Sequence, residues 1–299
     1  MPLLNRRGFL VNASLLGLLG SSGHAFAVEP IGRTRPSHMK LSLAAYSYRD
    51  FLTGPKKEMD LFGFLEIAAD LALDAVEPTS YYFPKDVTPE YLHRLKQRAF
   101  VLGLDISGTA VMNDFCLPPG PERDKELAHV KTWIDYAAEL DAPTLRLLSG
   151  NWIQGTPDSE LAQRVVDAID SLTPHAVQRG VTLALENHGG GVTTTAAELL
   201  KIVREVKGPN FGVNLDTGNF HGPDPYLELA EVAPCAVNVQ VKTEVRRQGR
   251  SKETADLEKV LKILRDAKYS GYVVLEYNAS EDPKTAVPRY IKTLRSLLG

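Results

Sequence analysis

Three stretches in the second half of the chain carry an acid near the end of an apolar run: "LALENHGG" at Glu186, "GVNLDTGN" at Asp216 and "GYVVLEYN" at Glu276. A fourth, "AVNVQVKT", alternates small or apolar residues with Asn238, Gln240 and Lys242. Carboxylates gathered in one cavity can do proton-transfer chemistry, one taking a proton and another returning it. They can also hold a divalent cation, because close like charges raise one another's pKa and a metal ion removes that cost. The simpler alternative is that each acid pairs with Lys242, Arg246 or Arg146 and only stabilises the fold. All three readings require distant segments to meet.

The periodicity says how they meet. From Met39 onward the chain alternates strand and helix eight times, with strands expected near residues 40–48, 75–79, 105–110, 144–149, 181–188, 211–217, 236–243 and 272–278. Between them, Ala196, Leu199, Leu200 and Val203 form one helical stripe, and Leu257, Val260, Leu261 and Leu264 form another. Thr88-Pro89, Thr156-Pro157, Asp224-Pro225 and Asp282-Pro283 read as helix starts, and Thr195 with Glu198 reads as a capping box. Eight such units predict a single-domain α/β fold, a (β/α)8 TIM barrel over residues 39–299. A doubly wound open sheet fits less well, because no G-x-G-x-x-G follows the first strand. In a closed barrel the outward strand positions are apolar and the alternate ones face the axis. Val237, Val239 and Val241 therefore meet helices, while Asn238, Gln240 and Lys242 point inward. The same parity turns Glu186 with His188, Asn214 with Asp216, and Glu276 with Asn278 toward the C-terminal mouth, where barrel enzymes do their chemistry.

With 299 residues, 43% of them hydrophobic and 24% charged, the chain can bury a large core. A formal charge of −3 gives no general basic surface, which disfavours nucleic acid as a partner. The start, "NRRGFLVNASLLGLLGSSGHAFAVEP", has paired Arg6 and Arg7, an apolar run and a small-x-small site at Ala25-Phe26-Ala27. It resembles a twin-arginine export signal over residues 1–27, followed by a linker over 28–38, and implies a periplasmic location. An uncleaved amphipathic anchor is the alternative. The apolar run is shorter than the roughly 20 residues of a membrane span, so no stable span is expected. Cys116 and Cys235 alone imply no disulfide framework.

Taken together, "LALENHGG", "GVNLDTGN", "VNVQVKT" and "GYVVLEYN" resemble the metal-bearing strand ends of the sugar phosphate isomerase/epimerase family. These are the xylose isomerase-like TIM barrels, which include tagatose and psicose epimerases, inosose dehydratases and abasic-site endonucleases. The resemblance implies one divalent ion, manganese or magnesium foremost and cobalt as an alternative, held by Glu186, Asp216, Gln240 and Glu276. It implies that Glu186 and Glu276 are catalytic, moving a proton beside a sugar carbonyl through a metal-stabilised enediolate. His188, Asn219, Lys242, Arg246, Glu77 and Tyr46 are the expected contacts to a small sugar or keto-sugar. Two positions depart from the family's pattern. Gln240 stands where epimerases commonly have His, and Asn219 replaces the His of an Asp-x-x-His pattern. A glutamine carbonyl is a hard donor, so the resulting all-oxygen sphere favours magnesium or manganese over zinc. The missing histidines also argue against the multi-zinc endonuclease branch. Two further functional classes stay open: a metal-dependent lyase or hydratase acting on 3-keto-glycosides, and a non-catalytic sugar-binding barrel. A homo-oligomer is compatible with the sequence.

Overall fold

Short apolar strands that are buried on both faces cannot stand alone, and here helices cover the outer side of the sheet. The computed structural model describes residues 30–299, so the expected export signal lies outside the described residues. The strands are β1 (Met39–Ala44), β2 (Ala75–Glu77), β3 (Asp105–Ile106), β4 (Thr109–Ala110), β5 (Thr144–Leu147), β6 (Thr182–Glu186), β7 (Phe211–Asp216), β8 (Ala236–Val241), β9 (Glu244–Arg246), β10 (Lys252–Thr254) and β11 (Gly271–Leu275). Nine of them form one sheet in the order β3-β2-β1-β11-β8-β7-β6-β5-β4. Every pairing in that sheet is parallel. Its two edge strands, β3 and β4, are halves of one segment interrupted at Ser107 and Gly108, so the sheet closes almost completely on itself. The fold is a TIM barrel whose third strand is split.

The helices are α1 (Arg49–Leu52), α2 (Leu61–Asp70), α3 (Pro89–Val101), α4 (Pro121–Glu139), α5 (Asp158–Arg179), α6 (Ala196–Glu205), α7 (Pro225–Val232), α8 (Leu257–Asp266) and α9 (Pro283–Leu298). Side chains satisfy the free backbone N–H groups at several of their starts. Thr88 accepts from Tyr91 N, Asp224 from Tyr226 N and Asp282 from Lys284 N. Thr195 and Glu198 complete a reciprocal capping box. The expected start at Thr156-Pro157 is corrected: α5 begins at Asp158, with Pro157 as an N-cap that supplies no side-chain bond. The antiparallel β9–β10 hairpin, pairing Arg246 with Lys252, was not expected from the sequence.

Outward residues of the strands, among them Leu183, Leu185, Val213, Leu215, Val239, Val241, Val273 and Leu275, are fully buried in the main apolar cluster. Each such side chain contributes about 1.5–3 kcal/mol by leaving water. The barrel interior is different. Instead of layers of branched aliphatics it buries Ser42, Ser107, Thr144, Asn214, Asn238 and Glu77. Ser42 Oγ and Ser107 Oγ lie 2.7 Å apart near its base.

The segment before β1, expected to be a linker, packs across the N-terminal end of the barrel. Arg33 Nη2 donates to Ala236 O at 2.5 Å, its guanidinium lies 5.3 Å from the Tyr269 ring centroid, and Ile31 N donates to Pro234 O at 3.1 Å. Cys116 and Cys235 are both free and buried. Among the described residues no helix is long and apolar enough to cross a membrane.

Candidate active site

Two tiers of polar side chains fill the C-terminal half of the barrel. The lower tier follows from strand register: Asn214 on β7 lies opposite Asn238 on β8, and Asp216 lies opposite Gln240. Asn238 Nδ2 donates to Glu77 Oε2 at 2.7 Å and to Asn214 Oδ1 at 2.8 Å. Gln240 Nε2 donates to Glu77 Oε1 at 2.5 Å, and Gln240 Oε1 accepts from Asn214 Nδ2 at 2.8 Å. Glu77 is fully buried, and burial pushes its carboxyl up to about 7 against the opposing pull of these amide bonds. Because a carboxylate accepts only, it fixes which end of each amide faces it.

The upper tier holds the charges. Glu186 ends β6; its Oε2 lies 3.0 Å from Arg146 Nε on β5, and its Oε1 accepts from Asn219 Nδ2 at 3.0 Å. The Lys242 ammonium, just beyond β8, lies 3.2 Å from Asp216 Oδ2 and bonds to Glu276 Oε1. Asp216 Oδ1 accepts from the Gly218 backbone at 2.8 Å. All of these charged side chains are almost wholly buried, and Asn219 is half-buried. Burial opposes the charge on Lys242, but Asp216 and Glu276 outweigh it and hold the ammonium above the ordinary lysine range. Burial likewise opposes the Arg146 charge, and Glu186 and Tyr81 overcome it. Burial is also the main cause raising Glu186 and Asp216 above the ordinary carboxylate range, with Arg146 and Lys242 respectively pulling them back.

A cavity of about 410 Å³ opens above this tier, lined by Tyr46, Tyr81, Arg146, Glu186, His188, Asn219, Lys242, Glu276 and Asn278. Its volume is near the lower end of the roughly 300–1,000 Å³ range of small-molecule sites. A larger cavity of about 580 Å³, lined by His93, Phe100, Asp105 and Tyr272, lies at the opposite end of the barrel, where β3 and β11 begin. That second cavity contains none of the clustered acids.

The expected site residues take distinct places in this geometry. Glu186, Asp216, Gln240 and Glu276, the residues expected to hold a divalent ion, converge at the C-terminal ends of β6, β7, β8 and β11. Among the described residues no group of three His, Cys, Asp or Glu side chains is arranged to hold a metal ion. Most polar atoms of these four residues have partners: Glu186 Oε1 accepts from Asn219 and its Oε2 is ion-paired with Arg146, Asp216 Oδ1 accepts from Gly218 N, Glu276 is paired with Lys242, and both ends of the Gln240 amide are bonded in the lower tier, whereas Asp216 Oδ2, 3.2 Å from the Lys242 ammonium, makes no hydrogen bond. The alternative of ion pairing with Lys242 and Arg146 describes the arrangement; Arg246 takes no part in it. Glu77, expected to touch substrate, is sealed beneath the cavity. Arg246 stands on the β9 hairpin in a neighbouring cleft, its Nη2 3.3 Å from His221 Nδ1. Tyr46, His188, Asn219 and Lys242 do line the cavity. Arg146 and Tyr81 are more central than the sequence suggested, with Arg146 Nη2 donating to Tyr81 Oη at 3.1 Å. The signal for Arg146 was a lone charge inside the buried run "TLRLL". After β6, an added Cβ on Gly191 would stand 2.4 Å from Gly150 O, so this turn packs closely against the loop after β5.

Known proteins share this architecture. The structure is similar to a D-psicose 3-epimerase with D-tagatose from Clostridium cellulolyticum, with a TM-score of 0.68 at 19% identity over 87% of this chain and 91% of that one. It is similar to a 3-keto-D-glucoside 4-epimerase from E. coli, with a TM-score of 0.66 at 15% identity over 87% and 99%. An IOLI protein with a zinc atom gives a TM-score of 0.70 at 20% identity over 87% and 96%. At these identities the likeness speaks for the fold. No curated protein sequence matches the chain. Residues 65–297, well over half of the chain, match the family described as the xylose isomerase-like TIM barrel. The chain belongs to the xylose isomerase-like TIM barrel family.

Proposed function

We propose that this protein is a sugar isomerase or epimerase that removes a proton from the carbon beside a carbonyl and returns it. The observation that carries the reading is that Glu186 and Glu276 line one cavity together, with Arg146 and Lys242 beside them. One carboxylate serves as base and the other, protonated, as acid. Proton loss beside a carbonyl requires that the developing oxyanion meet positive charge, and the cavity wall supplies two cations. Tyr46 and Tyr81 offer aromatic faces to a sugar ring, while His188, Asn219 and Asn278 offer hydrogen-bonding groups. The solved structures of similar fold include a D-psicose 3-epimerase and a 3-keto-D-glucoside 4-epimerase, which supports a keto-sugar as the substrate class. No step is assigned to the expected divalent ion, because Arg146 and Lys242 stand against the acids that would hold it. Export by the twin-arginine route is proposed alongside, from Arg6, Arg7 and the small-x-small site.

The test is proton exchange in D₂O with free ketoses and 3-keto-glycosides, followed by NMR. Deuterium at the carbon beside the carbonyl is expected. Either Glu186→Gln or Glu276→Gln is expected to lower its rate by about 10²–10⁴-fold. A product with an altered stereocentre identifies an epimerase, whereas release of an aglycone would assign a lyase. Binding without exchange in the wild-type protein would leave a sugar-binding barrel.

A further inference from the structure

We propose that Lys242 and Arg146 together occupy the place and serve the role that a divalent cation has in the metal-bearing barrels this chain resembles, so that the site works without a metal ion. The inference rests on the enolisation reading above and goes beyond it, because it names the electrophile.

Four observations carry it. First, the four side chains expected as ligands already have partners: Glu186 is ion-paired with Arg146 and accepts from Asn219, Glu276 bonds to Lys242, Gln240 is bonded to Glu77 and Asn214, and Asp216 accepts from Gly218 N while its Oδ2, without a hydrogen bond, lies 3.2 Å from the Lys242 ammonium. Seating a divalent ion among them would require expelling the ammonium, breaking ion pairs that are almost wholly buried, or setting two like charges side by side. Second, Lys242 and Arg146 line the cavity with the two glutamates, whereas Gln240, Asp216 and Glu77 do not. The cations therefore stand where a substrate oxygen can reach them.

Third, both cations are held in place from behind. Arg146 Nη1 donates to Val111 O at 3.3 Å and Nη2 to Tyr81 Oη at 3.1 Å, while Lys242 N donates to Thr217 Oγ1 at 2.9 Å. A Cβ added at Gly218 would lie 2.6 Å from Lys242 Cγ, so only glycine leaves room for the lysine stem. Preorganised charge of this kind needs no rearrangement as an oxyanion develops. Fourth, Gln240 is a neutral amide already bonded at both ends, so the strand that would bring a ligand brings a structural bridge and then, two residues on, a cation.

The proton transfer balances without a co-reactant. One glutamate carboxylate takes the proton; the C–H electron pair becomes a C=C bond, and the carbonyl π pair moves onto oxygen beside the Lys242 ammonium and the Arg146 guanidinium. The second glutamate, as a carboxylic acid, then returns a proton to carbon from the other face. No electrons are gained or lost overall, and the next turnover needs only proton exchange between the two acids and water.

The experiment uses the full chain, dialysed against a strong chelator. Metal content is read by mass spectrometry, thermal unfolding is read with and without Mn²⁺, Mg²⁺ or Co²⁺, and exchange of keto-sugar protons is followed in D₂O. The expected result is well below one metal ion per chain, no rise in Tm on adding any of the three ions, and an exchange rate unchanged by chelation. Lys242→Met is expected to lower exchange at least a hundredfold, with Lys242→Arg retaining part of it, both checked for folding by circular dichroism. One tightly held ion per chain, a metal-dependent rise of several degrees in Tm, or exchange that returns only on adding metal would overturn the proposal. If the wild-type protein shows no exchange with or without metal, the enolisation reading fails instead. Metal content and Tm still decide whether the site takes a cation.

Discussion

At the scale of single residues, the site is governed by where its charges are paired. Glu77 is the clearest case, since it is fully buried and its carboxyl is raised to about 7 from an ordinary 4.5, chiefly by loss of water. Between those two values the folded chain keeps a proton that the unfolded chain has released. The stabilising contribution is therefore complete below about pH 4.5 and is lost as pH rises through about 7. The full loss is on the order of 3 kcal/mol. Urea unfolding at pH 5 and pH 8 should show stability falling with pH, and Glu77→Gln should shrink that fall; an identical pH dependence in the variant would reject the assignment. Removing a partner acts in another way. Asn238→Leu leaves the Glu77 carboxyl short of a donor in the interior, and is expected to cost about 1–3 kcal/mol in the same measurement.

At the scale of elements, the turn after β7 carries more of the site than its length suggests. Gly218 supplies a backbone N–H to Asp216 and leaves the gap through which Lys242 passes. Gly218→Ala would bring a methyl carbon within 2.9 Å of Glu244 O as well as against the lysine stem, so Lys242 must shift. A loss of about tenfold or more in kcat is expected, with a stability cost of about 1–3 kcal/mol from overpacking. Full activity in Gly218→Ala would show that the position of Lys242 is not critical. Helix starts behave independently of the chemistry. Thr195→Ala removes one half of the capping box of α6, and should lower stability by about 1 kcal/mol in urea while kcat stays unchanged.

At the scale of the whole molecule, a barrel separates stability from function by placing them at opposite ends. The acids and cations stand at the C-terminal ends of β5, β6, β7, β8 and β11, while Arg33 closes the N-terminal end against Ala236, Pro234 and Tyr269. Arg33→Ala is expected to lower Tm by a few degrees, since it removes hydrogen bonds and a cation–π contact from that end, and to leave kcat/KM for a keto-sugar unchanged. Loss of activity at temperatures where the variant is fully folded would mean that the two ends are coupled.

Much of this was legible along the chain. The alternation of strand and helix, the outward valines of β8, the capping residues at Thr88, Thr195, Asp224 and Asp282, and the inward parity of Glu186, Asp216 and Glu276 all follow from local periodicity and local hydrogen bonding. The hairpin that carries Arg246 was not legible, because its two three-residue strands bury a single apolar side chain, Val245, too little for an alternation to show. The state of the acids was not legible either. Sequence parity can say that Glu186, Asp216, Gln240 and Glu276 face one axis, but it cannot say whether the cations that face the same axis reach them. That depends on strand register and on the space beside Gly218, which together bring Lys242 between Asp216 and Glu276 and turn Gln240 down onto Glu77. By itself the sequence determined the barrel and which side chains enter its mouth. The tertiary structure decided which of those side chains neutralise one another, because pairing of buried charges depends on distances of a few ångströms between strands far apart in the chain.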